Sequence, residues 1–389
     1  MSRLAAMPPP VPYSDPWAKP LRERLAMLAR GSLRIAYFYE APNNSTFRYR
    51  AYNMAQVLNE SPAEGVSASY FFLSDYPHFD EIADSAHVLV ICRSRYGAAL
   101  SHLVAKFRAR RRRVLFDIDD LVFDPDYTRL LVTTLGLDTY DEQVWDHWFA
   151  MTSRLGAAMK ECDWAITTNG YLAGRISAYC GLQARVVPNF LNKEQMEVSD
   201  RIYEGRMASS FSRSERIMLG YFSGSPSHRL DYALIEPALM EVMEKNANVD
   251  LMVVGYIEPT AALKRLMDRV HKVPFQDYVN LQRVIGSADI NLMPLQSNTF
   301  THCKSELKYF DAAAVGTVSV ASPTFTYADV IEDGANGFLA YAHQWQSAIL
   351  NAIDSLERHS SIASAARALV DARFSWTTQR PSILQALND

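Results

Sequence analysis

Short apolar runs alternate with longer amphipathic stretches from residue 33 onward. The first run, LRIAYF at 33–38, is followed by a polar turn at 42–46 (PNNST). Next comes FRYRAYNMAQVLNE, whose apolar residues recur at helical spacing. Further apolar runs stand at 67–73, 87–92 (HVLVIC), 114–118 (VLFDI), 165–168 and 184–187, the last closing at Pro188-Asn189. Each has strand length and lacks the apolar–polar alternation of a half-exposed sheet, so each reads as a strand buried on both faces. Residues 193–214 are polar and charged, with no strand pattern. The alternation then restarts, with runs at 217–222 (IMLGYF), 249–255 (VDLMVVG), a short edge strand at 271–274, 288–294 and 317–321, and two closing helices at 343–372 and 377–388. Strand–helix alternation predicts an α/β chain of two doubly wound, Rossmann-like parallel sheets. The expected layout is an N-terminal arm and short helix (1–30), a first domain (31–195), a linker (196–214), a second domain (215–372), and a C-terminal helix (373–389) returning to the first domain. Ligands of such sheets sit beyond the carboxyl ends of the strands.

A length of 389 residues suits two such domains, and a hydrophobic share of 49% is that of a globular protein. The net charge of −4 excludes a strongly basic nucleic-acid binder. Basic residues nevertheless cluster at Lys106, Arg108 and Arg110 to Arg113. The run reads either as a solvated helix end or as a peripheral contact with an anionic membrane surface. Four cysteines without CxxC spacing or clustered histidines argue against a zinc site and fit free thiols in a reducing cytoplasm. There is no apolar run of membrane-spanning length and no signal-peptide h-region. Residues 7–20 are proline-rich and predict an extended arm. Residues 20–30 (PLRERLAMLAR) predict a short amphipathic helix that docks on the body of the protein.

The most informative stretch is 298–322, NTFTHCKSELKYFDAAAVGTVSVAS. A polar loop leads into a helix expected to begin near Lys304, placing Lys304, Lys308 and Asp311 on one face at i, i+4 and i+7. Gly316 stands where the helix ends, and a buried strand follows. Free N–H groups with two lysines on the first turns suit a phosphorylated ligand, and the acid one turn on suits a sugar hydroxyl.

Several motifs resemble those of a retaining GT-B glycosyltransferase of family four, over roughly 33–388. Phe310 to Ser322 resembles the family's E-A-x-A-x-G-x-P-V-V-A-S block, and Ile331 to Phe338 (IEDGANGF) its I-x-D-G-x-N-G loop. The stretch from Ala165 to Asn189 resembles its V-S-x…V-I-P-N-G segment. Gly220 to Ser225, with His228 and Asp231, resembles the strand and turn that open the donor domain. The resemblance implies two facing Rossmann-like domains and transfer of a sugar, with retention and without a metal or cofactor, from a nucleotide-sugar donor to a glycan or lipid-linked acceptor. Donor binding then falls to Ser223, Gly224, Ser225, His228, Val273, Pro274, Lys304, Ser305, Glu306, Lys308 and Asp311, with Val273-Pro274 against the base. Fixed amines and N–H groups would stabilise the departing diphosphate.

On the acceptor side stand Asn43, Asn44, Arg48 and Arg50, and at the end of the fourth strand Asp119 and Asp120, with Asp119 orienting or deprotonating the acceptor hydroxyl. Arg50 reads equally as an acceptor-phosphate ligand or a surface arginine. The chain departs from the family at the first of its two paired Glu positions, where Cys303 stands, with Glu306 displaced by nearly a turn; Asp311 stands at the second. Two other readings compete. One is a nucleotide-sugar-binding subunit without activity. The other is a haloacid-dehalogenase-type phosphatase built on Asp117-Ile118-Asp119, whose motif would normally continue with threonine where Leu121 stands.

Overall fold

The computed structural model describes residues 9–61, 65–224, 228–256, 260 and 263–388. Two six-stranded sheets, parallel throughout, form two lobes. The first contains β1 (Leu33–Tyr39), β2 (Val66–Phe72), β3 (Val88–Cys92), β4 (Arg113–Ile118), β5 (Ala165–Thr167) and β6 (Ala184–Val186), in the order β2-β1-β3-β4-β5-β6. The second contains β7 (Ile217–Ser223), β8 (Val249–Gly255), β9 (Val270–Val273), β10 (Ile290–Met293), β11 (Val318–Ala321) and β12 (Phe338–Leu339), in the order β12-β11-β10-β7-β8-β9. The strand order reverses between β1 and β3 in one sheet and between β7 and β10 in the other. Loops diverge at these points and open a crevice at the strand ends. Strands β3, β4, β7, β8 and β10 are buried almost throughout, which is why their sequences read as largely apolar runs.

The structure departs from the sequence expectations in four places. Most of the polar stretch expected as linker is a helix, Lys193–Ala208, capped by Asn192, whose side chain accepts from the Gln195 N–H. Its polarity reflects a position between the lobes. Arg206 donates to the carbonyls of Gly286 and Val315, while Glu194 accepts from Tyr52 and Gln56 of the first lobe. The two-residue strand β12 lies within the glycine-rich loop and gives too short an apolar run to stand out. The helix expected from Lys304 begins only at Leu307, after a separate short turn, Thr299–His302. Its end is as expected: Gly316 is left-handed (φ 73°), the Gly316 N–H donates to Ala313 and the Thr317 N–H to Ala312. Finally, the basic run does not form an open cationic face. Lys106 pairs with Asp80 at 2.6 Å, Arg108 with Asp163 at 2.7 Å and Arg110 with Asp84 at 2.6 Å. These acids neutralise the charge that a membrane contact would need. Among the described residues no helix is long and apolar enough to cross a membrane.

The arm crosses between the lobes. Val11 exchanges two hydrogen bonds with the Asn280 side chain, at 2.9 and 3.0 Å. Trp17, 2% exposed, stacks on Tyr278 and meets Phe47 and Tyr52 edge-on. The helix Leu21–Leu28 docks on β2, where buried Arg24 pairs with Asp75 at 2.6 Å and donates to the Tyr70 carbonyl. At the other terminus the helix Arg380–Leu387 lies on the first lobe, its Ala386 carbonyl accepting from the Trp164 indole at 2.9 Å.

Candidate active site

A cavity of about 570 Å³ opens between the lobes at the carboxyl ends of both sheets. That volume suits a ligand of nucleotide-sugar size. The second lobe contributes Ser223 and Gly224 from the end of β7, then His228, Lys304, Ser305, Leu307, Lys308 and Asp311. Ser225, expected beside them, lies outside the described residues.

Lys308 is half-buried, with no ion pair among the described residues. Burial, reinforced by the nearby Lys304 charge, lowers its ammonium to about 8. Lys304 lies 3.8 Å from Asp120 across the cleft, its amine over the Phe300 ring. It precedes the helix rather than sharing a face with Lys308, yet both amines line one cavity. The first N–H groups of a helix have no intrahelical acceptors, and Leu307 and Lys308, which carry them here, are at the cavity wall.

His228 is held by Asp231, Nδ1 to Oδ2 at 2.9 Å. Lys308, then burial, lowers its imidazolium to about 4, while Asp231 is itself held below the usual carboxylate range as it takes this bond and two from Gln296. At neutral pH the ring is therefore uncharged, with its proton on Nδ1 facing the carboxylate and a bare Nε2. Asp311, 5% exposed, accepts from Gln282 at 3.0 Å and Gln195 at 3.4 Å, and burial raises its carboxyl to about 7. Ser305 accepts from Asn189 of the first lobe at 3.0 Å, joining the two walls.

The first lobe contributes Ser45 and Thr46 after β1, Arg93 after β3, and Asp119 and Asp120 after β4. Asp119 accepts from Thr46 at 2.9 Å and from Arg93 at 3.0 Å; Asp120 is 3.7 Å from Arg93. Arg93 has φ 37°, a left-handed conformation that a non-glycine residue adopts at a cost. The strand-end rule, applied to β3 as it was to β1 and β4, was the signal that would have found it.

Several expected site residues lie elsewhere. Arg50 is fully buried and clamps Asp117, Nε to Oδ1 at 2.7 Å and Nη2 to Oδ2 at 3.0 Å, while Nη1 donates to Val187 and Asn189. It has no reach to an acceptor. The same clamp occupies both Asp117 oxygens, which removes the phosphatase nucleophile. Arg48 is buried against Gln195 and the Tyr49 and Tyr278 rings. Asn43 caps the turn by accepting from Ser45 and Phe47, and the Asn44 side chain accepts from Tyr13. These four organise the loop, whereas its next residues, Ser45 and Thr46, reach the cavity. Val273 is buried and Pro274 exposed outside the cavity wall; their successors Phe275 and Gln276 line it.

Glu306 turns away from the cavity into the protein, where its Oε2 has no hydrogen-bond partner among the described residues and burial raises its carboxyl to about 7. It therefore cannot stand in for the family's first Glu. An unfolded glutamate ionises near 4.3. The folded form resists ionisation, so stability falls as pH rises from about 4 to about 7 and stays lowered above. Glu306→Gln is expected to raise the melting temperature by about 2–6 °C at pH 8, with little change near pH 4, as read by calorimetry at both pH values. An unchanged melting temperature at pH 8 would show that the carboxyl is solvated.

Residues 217–359, most of the second lobe, match the family model of the group 1 glycosyl transferases. The whole fold is shared with HepE of Anabaena in complex with UDP (TM-score 0.57, 14% identity, 91% of this chain and 99% of that one). It is shared equally with WaaG, a glycosyltransferase involved in lipopolysaccharide biosynthesis (TM-score 0.58, 12% identity, 91% and 100%). Sucrose-phosphate synthase of Thermosynechococcus elongatus is similar (TM-score 0.57, 14% identity, 90% and 96%). No curated protein sequence matches the chain. The two-lobed fold is that of these structures, and the match to the group 1 glycosyl transferases falls on the second lobe.

Proposed function

We propose that the protein transfers a sugar from a nucleotide-sugar donor to a glycan or lipid-linked acceptor, with retention of configuration and without a metal ion. The observation that carries this reading is Lys308, an amine held in the cleft beside Lys304 with no direct ion pair among the described residues, Asp231 attracting it only from beyond contact. The two amines, Lys304 also 3.8 Å from Asp120, stand near the first N–H groups of a helix and form a preorganised site for the charge that builds on a departing diphosphate. Anion binding favours protonation of Lys308 and of His228 Nε2, which then donates to the phosphate. Asp311 faces the same cavity and suits a donor-sugar hydroxyl. Asp119, fixed by Thr46 and Arg93, suits the acceptor hydroxyl and its proton. Retention rests on the family-four resemblance, and no side chain is assigned as nucleophile. HepE is in complex with UDP, which makes uridine diphosphate sugars the first donors to try. The free cysteines fit a cytoplasmic setting.

The test is release of nucleoside diphosphate from a panel of nucleotide sugars in EDTA, with the product anomer read from its NMR coupling constant. Turnover in EDTA with the donor's configuration is expected. Strict dependence on added magnesium, or an inverted product, overturns the corresponding part. Tight UDP binding with no turnover from any donor leaves the binding subunit instead.

A further inference from the structure

The first-lobe wall of the cavity combines two features that the donor does not use. One is an apolar surface made by Val122, Leu135 and Trp148. The other is the carboxylate pair Asp119 and Asp120, the latter with Oδ1 buried and lacking a hydrogen-bond partner among the described residues.

Trp148 is held there by its helix, Glu142–Lys160. Two turns further on, Gly156 lets that helix press against the chain just after Val122. A Cβ at Gly156 would sit 2.3 Å from the Phe123 carbonyl oxygen and 2.1 Å from the Tyr179 hydroxyl. Eight residues at 1.5 Å each place Trp148 about 12 Å up the helix from this contact. The turn between them is pinned by Thr152, fully buried, which shares a 2.9 Å hydrogen bond with Thr128 and donates to the Trp148 carbonyl. The helix that carries the indole is therefore fixed, and the partly buried indole packs against the first-lobe core while lining the cleft.

We infer that the acceptor is engaged through a neutral pyranose ring whose apolar face lies on the Trp148 indole and whose hydroxyls donate to Asp119 and Asp120. This rests on the transfer reading above and specifies its acceptor. Three classes of occupant compete for the wall. A phosphorylated sugar would set its anion against two carboxylates, with Arg93 already engaged by Asp119 and Lys304 near Asp120. An alkyl or prenyl chain would cover the indole but leave Asp120 Oδ1 buried without a hydrogen bond, with only the 3.8 Å ion pair to Lys304, which is costly. A neutral pyranose satisfies both features, because one face of the ring is C–H surface and its rim is hydroxyl donors.

The test uses octyl glucopyranoside and octyl N-acetylglucosaminide, below their micelle concentrations, against glucose 6-phosphate and octyl phosphate. Binding to the UDP-loaded full-length protein is followed by saturation-transfer NMR. The neutral pyranosides are expected to bind. Trp148→Ala should weaken them about tenfold and Trp148→Phe should recover most of that, while the UDP dissociation constant, which also reports folding, does not move. Equal pyranoside affinity in Trp148→Ala, preference for either phosphorylated probe, or no binding of any neutral pyranoside overturns the inference. The two readings fail separately. Trp148-dependent pyranoside binding in a protein that releases nucleotide from no donor upholds the sugar subsite and removes the transfer.

Discussion

Lys308→Ala raises the dissociation constant for UDP about 100-fold, the loss expected when a charge-assisted contact to phosphate disappears from a half-buried site. The wild-type protein carries a matching pH signature. Its Lys308 ammonium titrates at about 8 when the cleft is empty, below the ordinary lysine value. Diphosphate binding requires the charged form, so affinity falls as pH rises through 8, to about a tenth of its pH 7 value by pH 9. Calorimetry in two buffers of different ionisation enthalpy reads the same coupling as proton uptake on binding near pH 8. A variant with wild-type affinity, or a wild-type protein whose affinity is level from pH 7 to 9, would place the diphosphate elsewhere.

Asp119→Asn lowers transfer by about 10²-fold or more, the contribution typical of a positioned proton acceptor, while UDP affinity stays within about twofold. The substitution keeps the shape of the side chain and the carbonyl oxygen that accepts from Thr46 or Arg93, so the loss isolates the carboxylate's charge and basicity. Single-turnover rates at saturating donor and acceptor separate this from weakened binding. Full activity in the variant would reduce Asp119 to an anchor for Arg93.

The two sheets were legible because buried parallel strands write themselves as apolar runs, and most of the strands are long enough or well enough bounded by turns to be seen. The short β12 and the helix at 193–208 were not, for opposite reasons. One has too few residues to carry a period. The other is polar because it serves two lobes at once, its hydrogen bonds going to carbonyls that no local pattern announces. Most of the second-lobe cavity wall followed from one segment, 298–322, which supplies Lys304, Ser305, Lys308 and Asp311. The acceptor side did not, because spacing cannot distinguish an arginine facing a cleft from one buried in a clamp. Arg50 and Asp117 are distant in the chain and meet only through the sheet. Trp148 was missed for the same reason, since it becomes part of a wall only when a tightly packed helix is assembled around it, whereas Arg93, directly after β3, was within reach of the strand-end rule.

The proline-rich arm gives the cleft a fixed fulcrum. Because Trp17 stacks on Tyr278 while lodged among Phe47 and Tyr52, a rocking motion that narrows the crevice must turn about this aromatic joint instead of prying it apart. Three separate passages of the chain, the arm, the 193–208 helix and the segment beyond Phe374, restrain the same motion. The lobes are thereby joined through three passages of chain rather than one.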